Sequence, residues 1–92
     1  MVKVKFFAYL REIAGCKEAE FPHFDTIGSL VKSLSAGYGN ALREKLLSKD
    51  ENDFNREIII MINGRHVAHL GGFNAPLKDN DNVHIFPMVA GG

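Results

Sequence analysis

The 92-residue sequence has little sulfur and no excess of charge: it contains one cysteine, no tryptophan, and 11 acidic against 11 basic side chains. One cysteine cannot form an internal disulfide or a cysteine-only zinc or iron–sulfur site, which favours a reducing compartment, so we expect a cytoplasmic protein. A formal charge of zero argues against a strongly basic binder, and we expect no nucleic acid and no membrane as partner. No apolar run approaches the roughly 20 residues that span a membrane.

The usual catalytic and metal-binding motifs are also absent. The sequence has no phosphate-binding GxxxxGK[ST] loop, no GxSxG elbow and no HExxH. His66 and His69 are three residues apart on a predicted strand, so their side chains should point to opposite faces. Cys16 has no histidine close in sequence, and the acidic loop Ser48–Asn55 lacks the glycine and terminal glutamate of a calcium-binding hand. We therefore expect no metal, no cofactor bound by this chain and no catalytic group of its own.

Hydrophobic patterning predicts a strand at each end of the chain and a helix between them. Val2–Tyr9 alternates apolar with polar residues, Lys17–Phe21 supports a short second strand, and Val83–Met88 is the predicted last strand. Thr26 is a suitable N-cap for a helix whose apolar residues follow at i, i+3, i+4 and i+7. The glycines of Gly37–Gly39 should end this helix.

The middle of the chain predicts a hairpin. Ile58–Ile62 is an unbroken apolar run, which is typical of a central strand covered on both faces. Asn63-Gly64 follows directly and favours a type I′ turn into a returning strand at Arg65–Leu70. The order of elements indicates one α+β domain over residues 1–92, with a sheet of four to five strands packed on one main helix.

The predicted sheet has an open face, opposite the helix, with an apolar cluster. The last strand would place His84, Phe86 and Met88 on this face, and the first strand would add Phe7 and Tyr9. Exposed apolar clusters mark partner surfaces. We therefore predict a partner-binding surface, and its residues are Phe7, Ile59, Met61, Phe86 and Met88. The alternative is that the protein's own loop, Leu70–Ala75, covers the face.

The last four residues, Val89, Ala90, Gly91 and Gly92, become steadily smaller toward the end. An extended four-residue segment reaches roughly 13 Å. Because glycine has no Cβ, such a tail could thread a narrow channel and place the carboxylate of Gly92 in another protein's active site. We predict a flexible tail over about residues 88–92, with Gly92 as the modified residue and Val89–Gly91 as the threading segment.

Both ends of the chain and the hairpin resemble one known family. VKVKFFAYLREIAG at the start and INGRHV…PLKDNDNVHIFPMVAGG at the end are similar to the MoaD/ThiS family of ubiquitin-like sulfur carriers, MoaD above all. The resemblance implies a β-grasp fold, in which the first and last strands lie parallel in the centre of a mixed sheet. Asn80 and Met88 depart from the family pattern, where glycine and a second proline are common. We expect Asn80 to adopt the left-handed conformation in glycine's place, and the root of the tail at Met88 to be less stiff.

The resemblance also implies a function. An E1-like adenylyltransferase would use ATP to adenylate Gly92, and sulfur transfer would then give a thiocarboxylate. As the non-catalytic small subunit of molybdopterin synthase, the chain would donate this sulfur in the large subunit during molybdenum or tungsten cofactor synthesis. Three alternatives stay open: a ubiquitin-like modifier joined through Gly92 to target-protein lysines, a carrier for thiamine, tRNA thiolation or another pathway, and an interaction module whose tail is inert.

Overall fold

The computed structural model describes residues 1–88. Residues 89–92, which include the predicted modification and threading residues, lie outside the described part of the chain. The elements in chain order are β1 (Val2–Phe6), α1 (Leu10–Ala14), β2 (Glu18–Phe21), α2 (Ile27–Tyr38), α3 (Asn40–Leu46), β3 (Ile58–Ile62), β4 (Arg65–His66), two 3₁₀ turns (Val67–His69 and Gly72–Asn74) and β5 (Asn82–Pro87). None of the helices within residues 1–88 is long and apolar enough to cross a membrane.

The five strands form one mixed sheet in the order β2-β1-β5-β3-β4. β1 and β5, at opposite ends of the sequence, pair in parallel, with Val4 opposite Val83 and Phe6 opposite Ile85. The other three pairings are antiparallel. The α+β class and the central parallel pair, both predicted from the sequence, are confirmed.

The core lies between one face of the sheet and the helices. Every second residue of β1 is fully buried, and α2 buries the predicted apolar stripe against these residues. The Thr26 hydroxyl accepts a hydrogen bond from the Ser29 amide at 3.2 Å, which confirms it as the N-cap of α2. The helix continues through Gly37 to Tyr38, and the chain leaves it at Gly39, where φ is +96°.

The structure of β3 corrects the prediction that this strand is covered on both faces. Its first, third and fifth residues are buried, but Ile59 and Met61 are only half-buried on the opposite face. The unbroken apolar run therefore does not reflect helices on both sides of the sheet. It reflects a second apolar surface on the face that the helices leave open.

The hairpin after β3 forms as predicted, but the returning strand is short. Asn63 and Gly64 have φ values of 51° and 82°, as a type I′ turn requires. The strand ends at His66, whose Nδ1 accepts from the Ala68 amide at 3.0 Å and caps a 3₁₀ turn. Such a turn repeats every three residues, so the rings of His66 and His69 lie 6.0 Å apart, and the predicted opposite orientation is wrong.

β1 also ends earlier than the alternation predicts. The strand stops at Phe6, and Ala8 takes a left-handed conformation with φ of 54°. This turn carries Tyr9 off the sheet to the residue before α1, where the Lys45 ammonium lies 5.7 Å from its ring centroid. Tyr9 is therefore not part of the open face of the strand.

The acidic loop after α3 is held by its own hydrogen bonds. The Ser48 amide donates to the Asp53 carbonyl at 2.9 Å. The Asp50 carboxylate accepts from the Asn52 amide at 3.0 Å and from the Ser48 hydroxyl at 2.8 Å. The Asn52 amide, and then the Ser48 hydroxyl, hold the pKa of Asp50 below its usual value.

The segment from Gly71 to Ala75 packs on α2 and not on the open face. A Cβ added to Gly28 of α2 would lie 2.5 Å from the Phe73 ring and 2.5 Å from its carbonyl oxygen. The Phe73 ring also packs against Phe54, with centroids 4.9 Å apart and planes inclined by 56°. Covering of the open face by this loop, the alternative raised from the sequence, is therefore wrong.

This close approach predicts that Gly28→Ala lowers the free energy of unfolding by about 1–3 kcal/mol, because the methyl group meets backbone as well as a ring. Gly37→Ala, in the same helix with open space at its Cβ, should instead raise it by up to about 1 kcal/mol. Urea unfolding of both variants measures the effect. Equal shifts for the two glycines would contradict the packing.

The hydrogen bonds of the acidic loop predict that Asp50 makes a pH-dependent contribution to the free energy of unfolding. A carboxyl whose pKa is lowered by folding stabilises the protein above its unfolded pKa of about 3.9, and the contribution disappears as the pH falls through the folded value. Asp50→Asn should therefore be less stable than the parent protein at pH 7, and the difference should vanish in strong acid. Asp25→Asn, at another exposed carboxyl, is the control. A pH-independent difference for Asp50→Asn would exclude this origin.

Candidate functional site

Two aromatic rings form the centre of the open face. Phe7 follows β1, and its amide donates to the Ile85 carbonyl of β5 at 3.1 Å, so the parallel pairing extends one residue beyond the strand. Phe86 lies in β5 with its side chain on the same face. The rings of Phe7 and Phe86 are stacked, with centroids 4.2 Å apart and planes inclined by 17°. Strand pairing thus brings together two aromatic residues from opposite ends of the chain.

The antiparallel partner strand completes this apolar surface. Ile59 is the register partner of Phe86, and Met61 is the partner of His84. The His84 ring lies 5.3 Å from the ring of Phe7 and 6.2 Å from that of Phe86. His84 therefore belongs to the aromatic cluster, although the predicted partner-binding set does not include it.

The five predicted surface residues differ in exposure. Phe7, Ile59, Met61 and Phe86 are half-buried by one another, whereas Met88 is 52% exposed. From here on, the open face means the six residues of this apolar surface: Phe7, Ile59, Met61, His84, Phe86 and Met88. The structure places all of the predicted surface residues on or beside the outer side of the sheet; their role in partner binding stays a prediction.

The root of the predicted tail is joined to the sheet by a hydrogen bond. Pro87 is opposite Ile58 in the ladder, and the next amide, that of Met88, donates to the Glu57 carbonyl at 2.6 Å. In an antiparallel pair the N–H groups of alternate residues point away from the partner, so Pro87 occupies a position where no donor to β3 is needed. The sheet is thus continuous up to Met88, and the lower stiffness expected of Met88 relative to a second proline stays a prediction.

The predicted tail begins directly after this point. Val89, Ala90, Gly91 and Gly92 lie outside the described residues, and their threading and modification stay predictions. Asn80, in the turn before β5, has φ of 68°, as expected for a residue in place of glycine. Its amide donates to the Met1 carbonyl at 3.1 Å, which joins the start of the chain to the turn before the last strand.

One charged residue beside the open face is missing from the partner-binding surface that the sequence predicts. The Arg11 side chain extends from α1 so that its guanidinium carbon lies 5.8 Å from the Phe7 ring centroid. Its Nε donates to the Phe6 carbonyl at 3.2 Å. The spacing of the sequence alone could not have found this contact, because Phe7 precedes the helix and the chain turns at Ala8, whose φ is 54°.

The cysteine lies away from the open face. Cys16 packs against the core beside Tyr38, and the pKa of Tyr38 is raised by burial and then by Cys16. Within residues 1–88 no three histidine, cysteine or acidic side chains are grouped so that they could hold a metal ion. A groove of about 880 Å³ runs along α3 and the loop before β3, and its charged lining is mixed in sign: Arg43, Glu44, Lys49, Asp50, Glu51, Asp53, Arg56 and Glu57.

The chain is similar to known proteins over its whole length. A family model described as "ThiS family" matches residues 4–92. Small archaeal modifier protein 3 of Haloferax volcanii is 36% identical over 93 residues, which cover 99% of this chain and 98% of the relative. Sulfur carrier protein CysO of Mycobacterium tuberculosis is 29% identical over 91 residues, which cover 99% and 98% of the two chains.

The fold is also shared. A chain in the crystal structure of the Amycolatopsis orientalis BexX/CysO complex superposes with a TM-score of 0.85 at 27% identity, and the match covers 100% of both chains. The match to the family model extends from β1 through the sheet to the terminal glycines. This chain therefore belongs to the ThiS/MoaD family of ubiquitin-like sulfur carriers.

Proposed function

We propose that this protein carries sulfur as a thiocarboxylate on Gly92. The observation that supports this most directly is the position of the sequence Val-Ala-Gly-Gly. It begins immediately after Met88, whose amide donates to the Glu57 carbonyl beside the β3–β5 ladder. The sheet thus holds the residue before this sequence, and two glycines without a Cβ would let its carboxyl group enter a narrow active site.

The chemistry requires an activating partner because a free carboxylate resists substitution. An E1-like adenylyltransferase would bind ATP and join the Gly92 carboxylate to AMP, with release of pyrophosphate. A hydrosulfide ion would then displace AMP, which takes one carboxylate oxygen with it, and the thiol proton would be lost to solvent. The C-terminal carbonyl would keep its other oxygen and gain sulfur in place of the first.

In this proposal the open face is the docking surface. Phe7 and Phe86 provide a stacked aromatic centre, and Ile59 and Met61 extend it along β3. Aromatic residues and methionine are enriched at protein interfaces, because burying them releases much apolar surface from water. Met88 lies at the margin of this surface, so a partner bound there would also be close to the root of the tail.

The acceptor of the sulfur has two candidates. The similarity of both chain ends to MoaD supports a molybdopterin precursor, bound by the large subunit of molybdopterin synthase. A second candidate is a protein modifier, and the 36% identity to small archaeal modifier protein 3 favours it. In that case the adenylated Gly92 carbonyl would be joined to a lysine amine, and the chemistry would diverge only after activation.

The role of Gly92 gives the first test. With an E1-like enzyme, ATP and a sulfur donor, intact mass spectrometry should show one oxygen replaced by sulfur at the C-terminal carboxyl group. Deletion of Gly92 should abolish this product, because the shortened tail no longer reaches the activating site. Its urea unfolding curve should be unchanged, because the hydrogen bonds that join the sheet within residues 1–88, up to that of the Met88 amide, all remain.

The products distinguish the two candidates. Transfer of sulfur to a pterin precursor in the presence of a molybdopterin synthase large subunit would support the first acceptor. Target-protein peptides with a Gly-Gly remnant on lysine, found in the source cell, would support the modifier. A Gly92-deleted protein that still gains sulfur, or binds its partners and acts as before, would overturn both in favour of an inert tail.

The open face gives the second test. Phe86→Ala should weaken binding to the activating enzyme roughly tenfold or more, since it removes half of the aromatic centre. Phe73→Ala is a matched control: Phe73 is also half-buried but packs on α2, so its loss should lower stability and leave the affinity of the folded protein unchanged. Isothermal titration measures both. Equal effects on affinity would exclude the open face as the docking surface.

A further inference from the structure

We propose that Arg11 binds a carboxylate of the activating enzyme and so fixes the orientation of this chain on it. The proposal rests on the proposed function. It adds the chemistry of the partner, namely an aspartate or glutamate side chain next to an apolar surface that covers Phe7 and Phe86.

The first step is the position of Arg11. α1 is only five residues long, and its first residue, Leu10, is fully buried in the core. Leu10 therefore fixes the helix against the sheet. The next residue, Arg11, is exposed, and its side chain returns over Phe7.

The second step is that two contacts restrain the guanidinium before any partner binds. Nε donates to the Phe6 carbonyl at 3.2 Å, and the guanidinium carbon lies 5.8 Å from the centroid of the Phe7 ring. A free arginine loses much rotamer entropy when a partner immobilises it, whereas a restrained one loses less. Since Nε is already used, the two terminal nitrogens are the donors that remain, and they form the planar fork that fits both oxygens of a carboxylate.

The third step is that the charge of Arg11 is not neutralised by the described part of the chain. Residues 1–88 contain two ion pairs, Met1–Asp79 and Arg43–Glu51, and neither includes Arg11. Arg11 is thus a preoriented cation beside an apolar cluster, and its complement is a carboxylate at the margin of an apolar surface.

Arg11 and the aromatic pair would act together. The ring of Phe7 contacts the guanidinium on one side and the Phe86 ring on the other. A partner that covers these rings would exclude water from the new ion pair, which strengthens it. Arginine next to aromatic residues is the composition found where a few residues supply most of the binding energy.

The test compares Arg11→Ala, Arg11→Lys and Arg65→Ala. Arg65 is an exposed arginine on the far edge strand β4 and serves as the control. The probe is the purified E1-like enzyme of the source cell without ATP, so that docking is measured apart from chemistry. Arg11→Ala should raise the Kd roughly 10- to 100-fold and make the Kd less dependent on salt concentration. Arg11→Lys should restore only part of the affinity, because an ammonium lacks the planar fork, and Arg65→Ala should match the parent protein.

Two further measurements separate this role from a structural one. The urea midpoint of Arg11→Ala reports any loss of stability that comes from losing the hydrogen bond to the Phe6 carbonyl. At saturating concentrations of the variant, pyrophosphate release should reach the parental kcat while KM rises, because folding and the tail are intact. The Arg11→Glu variant should regain affinity for an enzyme in which the partner carboxylate is replaced by arginine. A merely structural role of Arg11 would not give this rescue.

The outcomes distinguish the two proposals. If Gly92 of the parent protein is adenylated and Arg11→Ala has the same Kd and salt dependence as Arg65→Ala, the assignment of Arg11 is wrong and the proposed function stands. If Arg11→Lys binds as tightly as the parent protein, the two-point contact between the planar guanidinium and a carboxylate is wrong. If the parent protein is not adenylated at all, the proposed function fails and this inference fails with it.

Discussion

The parallel pairing of β1 with β5 is the constraint on which the rest of the structure depends. Parallel neighbours cannot be joined by a tight turn, so the chain must pass through α2, α3 and the β3–β4 hairpin before it returns beside its own beginning. This pairing buries Val4 against Val83 and Phe6 against Ile85 at the centre of the core. It also places β5, the strand that precedes the predicted tail, in the middle of the sheet, where β1 and β3 hold it on both sides.

The two faces of the sheet follow from this arrangement and differ in what they bury. On one face, alternate residues of the central strands pack against the helices and are almost fully buried. On the other, the rings of Phe7 and Phe86 cover each other, and Ile59 and Met61 remain half-exposed. An apolar surface in water costs free energy that a folded monomer does not recover, and a partner that covers it recovers that free energy on binding. The open face is therefore better explained by association than by stability.

Much of this could be predicted from the sequence, because local patterns govern the elements concerned. The alternation in β1, the capping threonine of α2 and the Asn-Gly turn each act within a few residues, and each appears in the structure. The errors arose where the local pattern does not distinguish between two outcomes. The run Ile58–Ile62 has the same periodicity whether helices or a partner cover its second face. β4 is short because His66 caps a turn instead of continuing the ladder. Arg11 was missed because its contact with Phe7 needs the turn at Ala8, where the alternation predicts that the first strand continues.

In the proposed function, this arrangement lets a small carrier contribute to catalysis by its partners. Arg11, Phe7 and Phe86 are linked by successive contacts, and Phe86 is two residues before Met88, whose amide is bound to the Glu57 carbonyl. A partner that binds these three residues would therefore hold a strand that leads directly into the predicted tail. A residue that is fixed before binding loses little conformational freedom when the partner binds, and orientation of this kind accounts for a large part of enzymatic rate enhancement. In that case the small domain would supply position, and its partners would supply the chemistry.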